Sequence, residues 1–212
     1  AMLRRTIVRL LLAFALLPLA SARANLKLPS FFSDHMVLQR EKPVAVWGWA
    51  GENAKVTVTL AGAKAAATAD AEGKWKATLP AQKAGGPHKL VVSDGAQTVT
   101  IDDVLVCDVW ICSGQSTMAF PVSRSSDTAD AAKTDLPLLR AFATTAQPAP
   151  KPQDDLPGSW SAATTPAVTN WYATGFYFGR KLQRDLGVPV GLLMVAWGDR
   201  KSTRLNSSHV SQ

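Results

Sequence analysis

Cysteine is scarce in this chain of 212 residues, with two present, Cys107 and Cys112. They flank Val109-Trp110-Ile111, an apolar segment that reads as a strand. Five strand residues span about 16 Å and send the two side chains to opposite faces. A disulfide needs Cα atoms within about 7 Å, so the pair is expected as free, packed thiols. Two cysteines alone also make no metal site. Histidine is rare too, at three residues. A long apolar run is missing: Leu10–Ala20 is far short of the roughly 20 residues that a bilayer of about 30 Å requires. Net charge is missing from the body of the chain. The formal net charge is +7, but Arg4, Arg5, Arg9 and Arg23 at the start and Arg200, Lys201 and Arg204 at the end account for all of it. Residues 25–199 are neutral, and no Lys/Arg cluster suggests a phosphate-binding face, so nucleic acid is not an expected partner. A hydrophobic content of 47% with 18% charged residues argues against disorder.

The basic start has its own explanation. Arg4, Arg5 and Arg9 precede the apolar run, and Ala22-Arg23-Ala24 follows it as a small-x-small cleavage pattern. Residues 1–24 are therefore expected to be a signal peptide cleaved after Ala24. Arg4-Arg5 suggests a twin-arginine signal, but the flanking residues fit poorly and favour ordinary secretion. The expected destination is periplasmic or secreted, with no membrane association after cleavage.

Residues 44–106 read as short strands separated by turn signals. Val44–Trp49 leads into Gly51-Glu52-Asn53; Val56, Val58 and Leu60 alternate with polar residues; Trp75, Ala77 and Leu79 alternate after Glu72-Gly73. Leu90-Val91-Val92 runs into Asp94-Gly95, a hairpin signal. This period-2 pattern predicts an N-terminal antiparallel β-sandwich over residues 25–103. Trp47, Trp49 and Trp75 fit core packing better than a sugar-stacking platform.

The character changes after residue 103. Val104–Ser113 is a near-continuous apolar run, as in a parallel strand buried on both faces. Gln147–Pro157 is Pro-rich and reads as a surface loop. A helix is expected over Trp171–Leu186, capped by Asn170, with Tyr172, Phe176, Leu182 and Leu186 as its apolar stripe. Gly175 and Gly179 would allow close approach to a sheet, and Gly187 and Pro189 would stop the helix. Val190–Trp197 reads as a second buried strand. The fold class is α/β plus β: the sandwich, then the beginning of an α/β domain with a parallel sheet over residues 104–199. Arg200–Gln212 has no apolar period. It resembles an adapter-derived tail and is expected to be non-native.

The chemistry centres on Ser113-Gly114-Gln115-Ser116-Thr117-Met118, directly after the first buried strand. A serine there sits at the carboxyl edge of a parallel sheet, where open α/β folds bind ligands. Gly114 permits a tight turn, and backbone N–H groups can stabilise an oxyanion. The Gly-x-Ser-x-Gly elbow of α/β-hydrolases is absent, because Met118 stands at its second glycine.

Cys107-Asp108-Val109-Trp110-Ile111-Cys112-Ser113-Gly114-Gln115-Ser116-Thr117-Met118 resembles the nucleophile block of the sialate O-acetylesterases, a branch of the SGNH hydrolases. Phe32-Ser33-Asp34-His35-Met36-Val37-Leu38-Gln39-Arg40 is similar to that family's opening motif. Phe178-Gly179-Arg180-Lys181-Leu182, Leu186–Leu192 and Trp197-Gly198 are similar to its helix, second strand and following turn. The resemblance spans residues 28–198. It implies an incomplete SGNH-type catalytic domain over 104–199 and hydrolysis of acetyl esters on sugars, with Ser116 as nucleophile. It also implies oxyanion donors at the Ser116 and Gly198 backbone N–H groups, Gln115 in substrate binding, and an acetylated sugar or glycan as substrate. No cofactor and no metal are called for. Three positions depart from the family pattern: Thr117 replaces Asn, Cys107 replaces Gly, and Asp199 replaces the second Gly of Trp-Gly-Gly.

Such a serine needs a histidine oriented by a carboxylate, which SGNH hydrolases carry as Asp-x-x-His near the C-terminus. After Ser116 the one histidine is His209, in Asn206-Ser207-Ser208-His209, where an amide stands at the carboxylate position. His209 is not expected to be catalytic, and His35 and His88 are expected in surface or structural roles. The chain is therefore expected to be an inactive, truncated form. Two other readings stay open: a carbohydrate-binding or adhesion module in which the sandwich is the functional part, and an acetyl xylan esterase of the same family.

Overall fold

A computed structural model describes residues 25–131, 133, 135–145, 149–164 and 166–196. The expected signal peptide, Gly198, His209 and the 200–212 tail lie outside these residues. The strands are β1 (Val37–Gln39), β2 (Val44–Trp49), β3 (Lys55–Leu60), β4 (Ala63–Thr68), β5 (Lys74–Leu79), β6 (Gly85–Ser93), β7 (Thr98–Cys112), β8 (Asp135–Thr144), β9 (Gly158–Thr164) and β10 (Val190–Met194). Two α-helices, α1 (Thr128–Ala131) and α2 (Ala173–Leu186), and the 3₁₀ turns Val122–Arg124 and Ala167–Asn170 complete the described elements. Eight strands form one mixed sheet in the order β4-β3-β6-β7-β10-β8-β9, with β1 beside β7, while β2 and β5 pair separately.

The alternation seen in the sequence sets the first half. In β3, Val56, Val58 and Leu60 are buried, and in β5 Trp75, Ala77 and Leu79 are buried between exposed neighbours. Together with Val44, Val46, Leu90 and Val92 they fill one apolar core. The β6–β7 hairpin turns at Asp94, whose carboxylate accepts from the Ala96 and Gln97 N–H groups at 2.9 and 2.7 Å. His88 lies in β6 opposite Val104. β4 was not expected as a strand: alanines on both of its faces hide the period, yet it pairs with β3 along its whole length.

β7 joins the two halves. Its start pairs antiparallel with β6, and its later residues pair parallel with β1 and then with β10, from Asp108 opposite Val190 to Cys112 opposite Met194. Residue 103 therefore falls inside one continuous strand. The expectation of burial on both faces holds for Val104–Cys107 but not beyond, since Trp110 is 44% and Ile111 69% exposed. Residues 108–112 have β10 along one edge, and no described strand pairs with the other. Trp110 lies edge-on to Phe178, with ring centroids 5.2 Å apart.

Two strands between β7 and the helix were missed. β8 runs parallel to β10 and is buried from Leu139 to Phe142, and β9 returns antiparallel to it. Pro137 within β8 and the small polar residues of β9 blur both patterns. α2 starts at Ala173 and not at Trp171. Asn170 instead closes the preceding 3₁₀ turn, and the helix N-cap is Tyr172 with no side-chain hydrogen bond. Its close approach to the sheet is as expected: a Cβ on Gly175 would lie 2.9 Å from Cys112 Sγ, and one on Gly179 would lie 2.8 Å from Leu139 Cδ1. The helix ends at left-handed Gly187, whose N–H donates to Gln183 O. Leu186 faces solvent and does not complete the apolar stripe.

The opening segment braces this arrangement. Arg140 is 4% exposed and donates to the Asp103 carbonyl at 2.7 Å and its carboxylate at 2.9 Å. The other carboxylate oxygen of Asp103 meets His35 Nδ1 at 2.7 Å. Arg40 grips Asp108 with two bonds of 2.9 Å. Trp160 Nε1 donates to Phe31 O at 2.9 Å, and Asp155 accepts from the Ser30 N–H at 2.7 Å. The 149–157 segment is thereby tied back onto the N-terminal half.

Candidate active site

The chain leaves β7 at the carboxyl edge of the parallel pair β7–β10, where the Val195 N–H donates to Cys112 O at 3.1 Å. Gly114 follows with φ +151°, a conformation disfavoured for other residues, and a Cβ there would lie 3.2 Å from Met118 Cβ. The next turn closes on the Gln115 carbonyl, which accepts from the Met118 N–H at 2.9 Å and the Ala119 N–H at 3.2 Å. Ser116 sits exposed in this turn. Neither its backbone N–H nor that of Thr117 has an acceptor among the described residues.

Ser116, Thr117, Ala119, Phe120, Pro121, Arg124 and Thr174 line one cavity of about 580 Å³. Its walls are stitched together by backbone bonds: the Val122 N–H donates to Trp171 O at 2.9 Å, and the Ala173 N–H to Phe120 O at 2.8 Å. These bonds bring the N-terminus of α2 to the cavity that holds Ser116. The arrangement sets the Ser116 and Thr117 hydroxyl residues and the Arg124 cation around a space large enough for a sugar.

Among the described residues, the nearby ionisable groups do not supply a base. Burial pushes the Cys112 thiol up and away from the reactive thiolate. Burial likewise raises the Tyr172 hydroxyl, which donates to Ala196 O at 3.0 Å. His35 and His88 are the histidines among the described residues. His35 bonds to Asp103 and His88 lies opposite Val104, so both sit about nine strand residues before Cys112. That is roughly 30 Å along β7, whereas a general base must stand about 3 Å from the proton it takes.

Among the residues singled out from sequence, Ser116 lines the cavity. Gln115 closes the turn through its carbonyl, but its side chain is exposed and does not line that cavity. Of the three tryptophans, Trp75 is in the core, whereas Trp47 is partly exposed beside a separate cleft of about 560 Å³. Arg124, Phe120 and Thr174 were not found by sequence reading. One arginine in a polar loop carries no spacing signal, and its place at the cavity follows from the pairing of residues 120–122 with 171–173.

No family model matches the chain. It is similar to the sialate O-acetylesterase of Mus musculus, at 32% identity over 201 residues, covering 84% of this chain and 37% of that protein. The Homo sapiens sialate O-acetylesterase is 30% identical over 199 residues, covering 84% of this chain and 38% of that protein. Among solved structures, a carbohydrate acetylesterase from Xanthomonas citri superposes with a TM-score of 0.79 at 38% identity, over 82% of this chain and 40% of that one. The chain thus spans about two fifths of the length of the proteins that it matches.

Proposed function

The chain belongs to the sialate O-acetylesterase family, and from that premise we propose that it carries the nucleophile half of a carbohydrate O-acetylesterase. In this reading, residues 25–103 form a β-sandwich that braces an SGNH-type catalytic region beginning at 104. Residues 1–24 direct the protein out of the cytoplasm. The observation that carries the reading is Ser116, exposed at the carboxyl edge of a parallel strand pair and lining a cavity, with no acceptor for its backbone N–H among the described residues.

Ser116 Oγ attacks the acetyl carbonyl of a sugar ester while an imidazole takes its proton. The Ser116 N–H, together with that of Gly198, holds the oxyanion. The proton passes to the departing sugar oxygen, leaving acetyl-Ser116, and water then releases acetate and restores the serine. The described residues place no imidazole at Ser116, so the base must come from polypeptide outside them.

Two measurements test this. The 212-residue chain should hydrolyse 4-nitrophenyl acetate no faster than its Ser116→Ala variant, and Ser116-dependent turnover would show that a base is already present. Residues 25–196, joined to the part of the Xanthomonas citri acetylesterase outside its matched 40%, should release acetate from O-acetylated sugars. A folded fusion that releases none would contradict the reading.

A further inference from the structure

The β2–β5 pair turns one face to the core and the other outward. Val44, Val46, Trp75 and Ala77 are buried on the inner face, whereas Trp47 and Trp49 alternate with them on the outer one. Lys76 stands directly opposite Trp47, and Lys74 opposite Trp49. Residues two apart on a strand share a face about 7 Å from each other. Three clefts open here, of about 560, 210 and 710 Å³. The first two share Trp47, the last two share residues 153–156, and Trp49 lines the third. Together they mark a groove between the outer face of β2–β5 and the 149–157 segment. Its sides are fixed: Lys74 Nζ donates to Asp154 at 2.8 Å, and Asp155 accepts from the Ser30 N–H and hydroxyl at 2.7 and 3.1 Å. Trp47 is 36% exposed and is held edge-on by buried Phe32, with ring centroids 4.7 Å apart. The Lys27 ammonium lies 5.5 Å from the Trp49 ring centroid. Lysines and aspartates line the groove in nearly equal number, so it carries no strong field of one sign. Trp75 also lines the first cleft; it is 3% exposed, and its Nε1 has no partner among the described residues. A buried indole N–H ordinarily has one.

We propose that this groove is a second, non-catalytic binding site, which holds a neutral oligosaccharide chain across Trp47 and Trp49. The occupant follows from the chemistry of the lining. A sugar ring has a C–H face that lies flat on an indole and a rim of hydroxyls that both donate and accept. The groove supplies two indoles in a row, ammonium donors at Lys74 and Lys76, and carboxylate acceptors at Asp70 and Asp154. An acidic polymer would meet the aspartates, and an apolar partner would bury the charges without compensation. Sugar hydroxyls also offer the Trp75 N–H the acceptor that its own chain does not. No residue is common to this groove and the Ser116 cavity, so the proposal stands apart from the esterase reading.

Titration calorimetry on the 212-residue chain tests this without requiring turnover. The probes are xylohexaose, cellohexaose and maltohexaose, with hexagalacturonate as the acidic counterpart. At least one neutral hexasaccharide is expected to bind about tenfold or more tightly than both its own monosaccharide and hexagalacturonate. Trp47→Ala should weaken that binding by about tenfold or more, the scale of a tryptophan at the centre of a contact. Trp47→Phe keeps a ring against Phe32 and should recover part of the loss. Lys76→Ala should weaken binding several-fold at the parent melting temperature, because Lys76 is exposed, and this excludes misfolding as the cause. Failure of every neutral probe to bind, a preference for the acidic probe, or affinity that is the same in the parent, Trp47→Ala and Lys76→Ala would overturn the inference. In each of those cases, Ser116-dependent acetate release by the fusion would still uphold the esterase reading.

Discussion

Alanine at position 116 is expected to lower acetate release by a completed enzyme about 10⁴-fold or more, the scale on which a serine hydrolase loses its nucleophile. The reasoning is geometric. Ser116 is exposed in a turn that Gly114 and the Gln115 carbonyl hold in shape, and the cavity is walled by backbone pairings that do not involve the hydroxyl. Removing Oγ should therefore leave the cavity, its amide donors and Arg124 in place. The loss should fall on kcat, with KM for the acetylated sugar little changed. Equal losses in folding and in activity would point to a structural serine. Comparing kcat, KM and melting temperature of the residues 25–196 fusion with and without Ser116→Ala separates the two.

The largest expected effect on stability lies within β7, at Asp103. Asp103→Ala should destabilise the chain by about 2–4 kcal/mol, because it leaves the buried Arg140 guanidinium without its counter-charge. The figure is kept below the full cost of a broken buried pair because the Asp103 side chain is 34% exposed. Asp103 also has φ +55°, a backbone state that Asp and Asn tolerate better than Ala. Asp103→Asn should therefore cost distinctly less. Urea unfolding should show the midpoint falling at constant m-value.

The same residue sets a pH dependence. Burial pushes the Asp103 carboxyl up, but the hydrogen bonds from Arg140 and His35, with their charges, outweigh it and hold the group below the ordinary carboxylate range. A carboxylate with a depressed folded-state pKa contributes stability that is fully present above its unfolded value of about 4. That contribution is lost as pH falls through the folded value. The acid limb of the stability curve should therefore be steeper in the parent chain than in Asp103→Asn. Identical limbs would mean that the pairing carries no net stabilisation.

The sequence was most readable where burial follows a simple period. β3 and β5 alternate cleanly, and Gly175, Gly179 and Gly187 marked where α2 meets the sheet and where it stops. It was least readable where long-range pairing outweighs local pattern. Four of the six residues of β4 are alanine, and β8 contains a proline, yet both are fixed by their neighbours. Trp110 and Ile111 look like core residues in the sequence, yet they are 44% and 69% exposed, and Trp110 meets Phe178 edge-on. Ser116 could be picked out because its block of residues is distinctive. Arg124 could not, because its meeting with Ser116 depends on the bonds from Phe120 and Val122 to the segment before α2.

The most direct test is to quench the residues 25–196 fusion early in its reaction with an O-acetylated sugar and map acetylation by peptide mass spectrometry. The account predicts transient acetyl on Ser116, absent in Ser116→Ala and decaying as acetate appears. Acetate release at the parent rate in Ser116→Ala, or acetyl accumulating on another residue with Ser116 unmodified, would contradict it.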